Sequence, residues 1–411
     1  MRFEGVEMTD SNQAPAYPMP RARACPFDPP PGLTELESVQ RVRIWDGSMP
    51  WLVKGYDDSR RILSDPRVSN DVRREGYPHT SEPFKALRTK GVVTFDRMDS
   101  PEHERQRRML TKDFMVKHIE QMRPKLQHYV DELMDAILAG PNPVDLVPAL
   151  ALPLPGLVIC ELLGVPFADT ALFQRCVSRM LNTKLSPEVV MDASKELHDY
   201  LENLVRASET EPADGLIGRL VSNQMANGEL TRTQIVDMSL LLLMAGYDTS
   251  SNMISLGILA LLQNPDQLAD LRESDDPALT ANTVEELLRY LTVLHMGRRR
   301  LAMEDIELGG QTIRAGDGII VLSDMANRDN TAFAGDPNEL DIHRDARHNV
   351  AFGFGVHQCL GQPLARVELQ IVYSTFAKRM PSTVKLAIPF EDVKFQFDAQ
   401  IYGLDSLPVT W

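Results

Sequence analysis

The sequence predicts a mainly α-helical protein with minor β structure at the two ends of the chain. Three observations carry this. Apolar residues recur at helical spacing over 103–138, 151–165, 190–223 and 231–263. The stretch 42–56, VRIWDGSMPWLVKGY, alternates around a glycine turn and reads as a small hairpin. The last thirty residues read as short β pieces, as does 301–323 with its Gly309-Gly310 turn.

The elements follow in order. Residues 1–32 form an irregular, Pro-rich lead without the apolar core of a signal peptide, so neither a leader nor a membrane anchor is expected. Residues 33–411 are expected to make one domain. The 103–138 pattern should break near Pro124, and prolines open the helix over 151–165. The segment 231–263 can be capped by Thr231 or Thr233 and is ended by Asn264-Pro265. At about 1.5 Å per residue it should span roughly 45 Å and cross the molecule. Helices over 285–291 and 363–380 flank an irregular stretch, 326–350, rich in Asn, Asp, Arg and Pro.

Composition excludes some functions. The 411 residues are 43% hydrophobic, ample for a core, and carry a formal net charge of −15. Such an acidic balance disfavours nucleic-acid binding, which needs clustered positive charge. No run reaches about 18 unbroken apolar residues, so no membrane-spanning helix is expected. Four cysteines, at 25, 160, 176 and 359, lack zinc-site spacing, and so few suit a reducing, cytoplasmic setting. Cys160 and Cys176 lie in apolar helical context and read as inert core thiols.

Cys359 is different. It stands in Phe352-Gly-Phe-Gly355-Val-His357-Gln-Cys359-Leu-Gly361, directly before a helix. Glycines let backbone approach a flat macrocycle, and amides at a helix start stabilise a thiolate. The plainer reading is a Gly-rich turn that holds a buried cysteine. Two further patterns are as ambiguous alone. Glu286-Leu-Leu-Arg289 places an acid and a base on one helix face, as many surfaces do. Ala245-Gly246-Tyr247-Asp248-Thr249 puts glycine, an acid and an alcohol inside an apolar helix, which a kink or a local hydroxyl–carbonyl bond would also explain.

Taken together, these residues resemble the cytochrome P-450 family. The family's haem-ligand signature is matched by Phe352, Gly355, His357, Cys359 and Gly361. The resemblance runs from Trp45 to the closing 401–409 and is nearest to soluble bacterial members of actinomycete type, many in secondary metabolism. It implies the family fold, with haem b between the long central helix and the cysteine loop. It implies Cys359 as axial iron ligand, and His357, His103, Arg107 and Arg300 as partners of the haem propionates. Arg298 and Arg299 crowd the position of Arg300. Ala245 would leave room for dioxygen, while Asp248 and Thr249 would deliver protons to it. Glu286, Arg289 and Arg344 would form a buried ion network behind the cysteine loop.

The activity implied is mono-oxygenation, by hydroxylation or by oxidative coupling or cyclisation, of a small, largely apolar or aromatic molecule. The family's substrate contacts fall here on Val92, Val93, Met244, Val293, Leu294, Met296, Ile401 and Tyr402. No flavin or nicotinamide fingerprint is fused to the chain, so electrons should come from a ferredoxin and its reductase. Arg105, Arg107, Arg108, Lys112 and Lys117 offer a basic dock, or simply a solvated charged face. Two other functions remain open. Soluble nitric oxide reductases share the Trp-Asp-Gly hairpin and Asn252-Met-Ile-Ser-Leu-Gly257, although Asp248 favours oxygen chemistry. A non-catalytic haem protein is the other.

Overall fold

The computed structural model describes residues 14–82, 85, 93–181, 185–211, 214–397 and 399–411. Its organising element is the central helix, Arg232–Gln263. A reciprocal cap starts it: the Gln234 amide donates to the Thr231 hydroxyl at 3.2 Å, and the Thr231 amide donates to Gln234 Oε1 at 2.9 Å. Every residue from Ser250 to Leu261 is buried. A helix that is apolar on all sides must run through the interior, and this one does. The helix Gln362–Arg379 crosses it closely, with the Tyr373 hydroxyl donating to the Met253 carbonyl at 2.6 Å. Gly257 makes that crossing possible, because a Cβ there would overlap the Tyr373 ring.

The break expected near Pro124 lies elsewhere. Glu102–Thr111 is one helix, a 3-10 turn follows at Lys112–Phe114, and Met115 is extended. The next helix then runs unbroken through Pro124, over Val116–Ala139. Interior proline costs about 3 kcal/mol or more. Tertiary packing offsets it here. Ile119, Leu126, Val130, Met134 and Ile137 are buried along one face. Polar ties clamp the same helix to Gln362–Arg379: Arg123 donates to Gln370 Oε1 at 2.9 Å, and Gln127 donates to Thr375 Oγ1 at 3.0 Å.

The β structure is small and peripheral. β1 (Val39–Arg41), β2 (Trp51–Val53), β3 (Val68–Ser69), β5 (Arg298–Ala302) and β8 (Gly318–Val321) form one sheet in the order β1-β2-β8-β5-β3. The hairpin predicted over 42–56 is present with its first strand placed earlier: β1, at Val39–Arg41, pairs antiparallel with β2, Val39 opposite Val53. β4 (Val144–Asp145), β10 (Pro408–Thr410) and β9 (Lys385–Leu386) form a second sheet. β6 (Ile306–Leu308) and β7 (Gln311–Ile313) make a hairpin about the expected glycine pair.

Residues 14–32 are built into this body rather than standing apart. The Tyr17 amide donates to the Arg43 carbonyl at 2.8 Å. Arg21 is almost wholly buried. It donates to His295 Nδ1 at 3.2 Å and pairs with Asp324 at 3.4 Å. No helix among the described residues is long and apolar enough to cross a membrane.

Candidate active site

The cysteine loop is shaped by two glycines in left-handed conformation, Gly353 at φ +77° and Gly355 at φ +74°. Between them and the helix lies a 3-10 turn, Gly355–His357, and the Cys359 amide donates to the Phe352 carbonyl at 2.9 Å. The Cys359 side chain is accessible only in that it faces an internal cavity. Burial raises its thiol pKa, while the Gly361 amide and the guanidinium groups of Arg298, Arg107 and Arg366 pull it down. Cys160 and Cys176 behave as inert thiols, pushed up by burial to about 12 and about 11.

The cavity encloses about 1210 Å³ of empty space, part of it open to solvent, and lies between the central helix and the cysteine loop. Ala245, Gly246, Thr249 and Ser250 line it from the central helix, and Phe352, His357, Cys359 and Gly361 from the loop. A Cβ on Gly361 would stand 3.9 Å from the Cys359 sulfur, in ordinary van der Waals contact.

Basic side chains gather along one edge. His103, Arg107, Arg298, Arg300 and His357 all face the cavity. The rings of His103 and His357 are 4.0 Å apart. Burial, with Arg300, His103 and Arg107 close by, depresses His357 to about 3. His103 is 1% exposed, and among the described residues neither of its ring nitrogens finds a hydrogen-bond partner. Arg107 Nη2 donates to the Gln358 carbonyl at 2.7 Å, tying its helix to the loop. Alternation along β5 resolves the three consecutive arginines. Arg298 and Arg300 share the cavity face, whereas Arg299 turns away and donates weakly to the Gly297 carbonyl at 3.4 Å.

On the central helix, Thr249 Oγ1 donates to the Ala245 carbonyl at 2.7 Å. Asp248 does not line the cavity; its carboxylate accepts from Asn252 Nδ2 at 3.0 Å, one turn on. Burial raises Asp248 to about 6, against the lowering effect of the Asn252 hydrogen bond.

Behind the loop, Arg289 and Glu286 are wholly buried and joined twice at 2.7 Å. Arg344 Nε reaches Glu286 Oε1 at 3.3 Å and also donates to the Ala334 carbonyl. The three residues expected to form a network therefore meet. A second link was not foreseen: Glu285 holds Arg366 at 2.5 Å, and that guanidinium lies 4.7 Å over the Phe352 ring. The adjacent acids Glu285-Glu286 were its visible signal.

Sequence reasoning also missed Asn70 and Glu368. Asn70 Oδ1 accepts from Arg300 at 2.8 Å, and nothing in its local sequence marks it. Glu368 faces the cavity from the helix after the cysteine, with Oε1 unpartnered among the described residues. Burial lifts it to about 8, and the Ser250 hydroxyl pulls the other way.

None of the described residues of the expected substrate wall lines this cavity. Tyr402 is 1% exposed and its hydroxyl donates to the Pro26 carbonyl at 2.8 Å, so it is core rather than wall. Its amide also bonds the Val293 carbonyl at 2.8 Å, and Val293 is buried with it. Val93, Met244, Leu294, Met296 and Ile401 are not among the residues lining this cavity. Val92 lies outside the described residues. The apolar lining comes instead from Phe95, Phe114, Val158, Ile159, Leu241 and Leu242.

Comparison with known proteins gives this arrangement its class. The profile of the cytochrome P450 family matches residues 158–380. The chain is 50% identical over 409 residues to cytochrome P450-SU2 of Streptomyces griseolus, covering 99% of each protein. The crystal structure of GfsF superposes with a TM-score of 0.92 at 49% identity, covering 97% of this chain and 100% of that one. Mycinamicin VIII C21 methyl hydroxylase from Micromonospora griseorubida superposes at 0.88 with 40% identity, covering 97% and 100%. The chain belongs to the cytochrome P450 family. It is a mono-oxygenase whose cofactor is haem, bound through iron to a cysteine thiolate. The nitric oxide reductase and non-catalytic readings are not favoured.

The residues present fit that group. A thiol is aimed into a cavity of sufficient size. A histidine with two unpartnered ring nitrogens and an edge of cationic side chains await carboxylates.

Proposed function

We propose that Cys359 is the axial thiolate and that the chain oxidises a largely apolar secondary metabolite, with Asp248 and Thr249 moving protons toward the site of dioxygen activation. The observation that carries this is the position of Cys359, which alone among the four cysteines lines the cavity. When bound, haem supplies the iron that takes up electrons and activates dioxygen. The protein supplies the rest. His103, Arg107, Arg300 and His357 would hold the propionates. The Gly361 amide steadies the sulfur. Ala245 and Gly246 keep side-chain bulk out of the space above the ring. Thr249, with its hydroxyl on the Ala245 carbonyl, would pass protons inward, and Asp248, raised to about 6 by burial, would supply them from outside the cavity lining.

The substrate reading rests on relatives such as the mycinamicin hydroxylase, whose substrate is a secondary metabolite. A ferredoxin is the proposed electron donor. Arg107 is turned inward and Arg105 is paired with Glu102 at 2.7 Å, which leaves exposed Arg108, Lys112 and Lys117 beside Met115 and Val116 as the dock. The deciding experiment is the carbon monoxide spectrum of the reduced, haem-loaded protein. The red-shifted Soret band of thiolate ligation is expected in wild type and its loss in Cys359→His; an unshifted wild-type band would remove the reading. A spin-state titration of the Soret band against candidate apolar metabolites then identifies the substrate.

A further inference from the structure

We propose that Arg298 is a fixed positive charge, without a carboxylate partner from the described residues, that tunes the electron affinity of the iron site, held in place as a strut between β5 and the cysteine loop. The proposal rests on the reading of Cys359 as haem ligand.

Arg298 shares the cavity-facing side of β5 with Arg300, but its head group is spent differently. Nη2 donates to the Ala351 carbonyl at 2.5 Å, one residue before the loop's Phe352, and Nη1 donates to the Ser323 hydroxyl. The loop is shaped to receive it. A Cβ at Gly353 would stand 2.8 Å from Arg298 Nε, so any side chain there would press on the guanidinium. Gly353 also needs its left-handed φ, and thus serves both the turn and the close approach.

No carboxylate of the described residues answers the charge. Among the described residues no carboxylate forms an ion pair with Arg298, whereas Arg289, Arg344 and Arg366 each have one. Asp324, close enough to act on Arg298, is already paired with Arg21. Both partners of the Arg298 head are neutral oxygens, which fix its position and leave its charge. A guanidinium stays protonated at any working pH. Adding an electron to the iron makes the site more negative, and a buried cation nearby favours that state more strongly than it would in water. Arg298 should therefore raise the reduction potential and ease electron entry.

The test is a spectroelectrochemical titration of haem-loaded wild type, Arg298→Gln, Arg298→Met and Arg298→Lys. The neutral variants should shift the ferric/ferrous equilibrium toward ferric about tenfold, about 59 mV for one electron. Arg298→Lys, which keeps the charge, should stay close to wild type. Methionine serves if the glutamine variant does not load haem. The carbon monoxide spectrum is read first. Absence of the thiolate band in wild type would overturn the cysteine reading on which the proposal rests. With the band present, an unchanged potential in the neutral variants would overturn the role of Arg298 alone. A drop in Arg298→Lys as large as that in the neutral variants would assign the effect to packing and overturn it equally.

Discussion

Arg289 meets Glu286 inside the protein through two parallel hydrogen bonds of 2.7 Å, with neither side chain exposed to any degree. The remaining guanidinium hydrogens go to the carbonyls of Asn327, Pro337 and Glu339, in the irregular segment that leads to the cysteine loop. Removing either partner leaves a charge buried without an answer. Glu286→Ala should cost about 3–5 kcal/mol, read as a fall in melting temperature with loss of haem content. Arg289→Lys keeps the charge without the fork and should lose most of the same stability.

Asp248 depends on Asn252, and Asn252 depends on Gly403, where a Cβ would overlap the Asn252 side chain. The amide donor lowers an acid that burial has raised to about 6. Asn252→Ala should therefore move the Asp248-controlled step of the pH–turnover profile above that value. Gly403→Ala should move it in the same direction by displacing the amide. Asp248→Asn should slow product formation by about 10²–10⁴. A profile identical to wild type in both Asn252→Ala and Gly403→Ala would disconnect the three residues.

Glu368 sets a stability slope between pH 4.5 and about 8. Its folded pKa is raised from 4.5 to about 8 by burial. The unfolded chain gives up this proton at lower pH than the folded one, so stability falls as pH climbs from 4.5 toward 8. The loss is on the order of 5 kcal/mol at most. Glu368→Gln should flatten melting temperature across this window relative to wild type. Parallel curves would count against the assignment.

His295 does the reverse on the acid side. Burial and the neighbouring Arg21 lower it from 6.5 to about 4. The folded protein refuses a proton that the unfolded chain accepts, so stability is lost as pH falls from 6.5 to about 4. The loss should be about 2–3 kcal/mol. His295→Gln should reduce it, measured as the midpoint of acid unfolding.

Most of the helical frame was legible because its signals are local and periodic: the Thr231 cap, the all-round apolar middle of the central helix and the glycines before Cys359. The misses share a cause. Pro124 lies within a continuous helix because contacts to Gln370 and Thr375, far away in sequence, hold it there. The choice among Arg298, Arg299 and Arg300 needed strand register, which a run of identical residues conceals. Asn70 acts through partners distant in sequence, Arg300 among them. Tyr402 has the composition of a binding wall, and only the bond to Pro26 places it in the core.

That bond belongs to a clasp. Arg21 stacks 4.4 Å over the Tyr402 ring while pairing with Asp324. Trimming the chain back to residue 30, as its irregular, proline-rich look would invite, strips an interior aspartate of its cation and the closing segment of its lid. Shortened versions made for expression should therefore come out poorer in bound cofactor than the full chain, although every signature residue would still be in place.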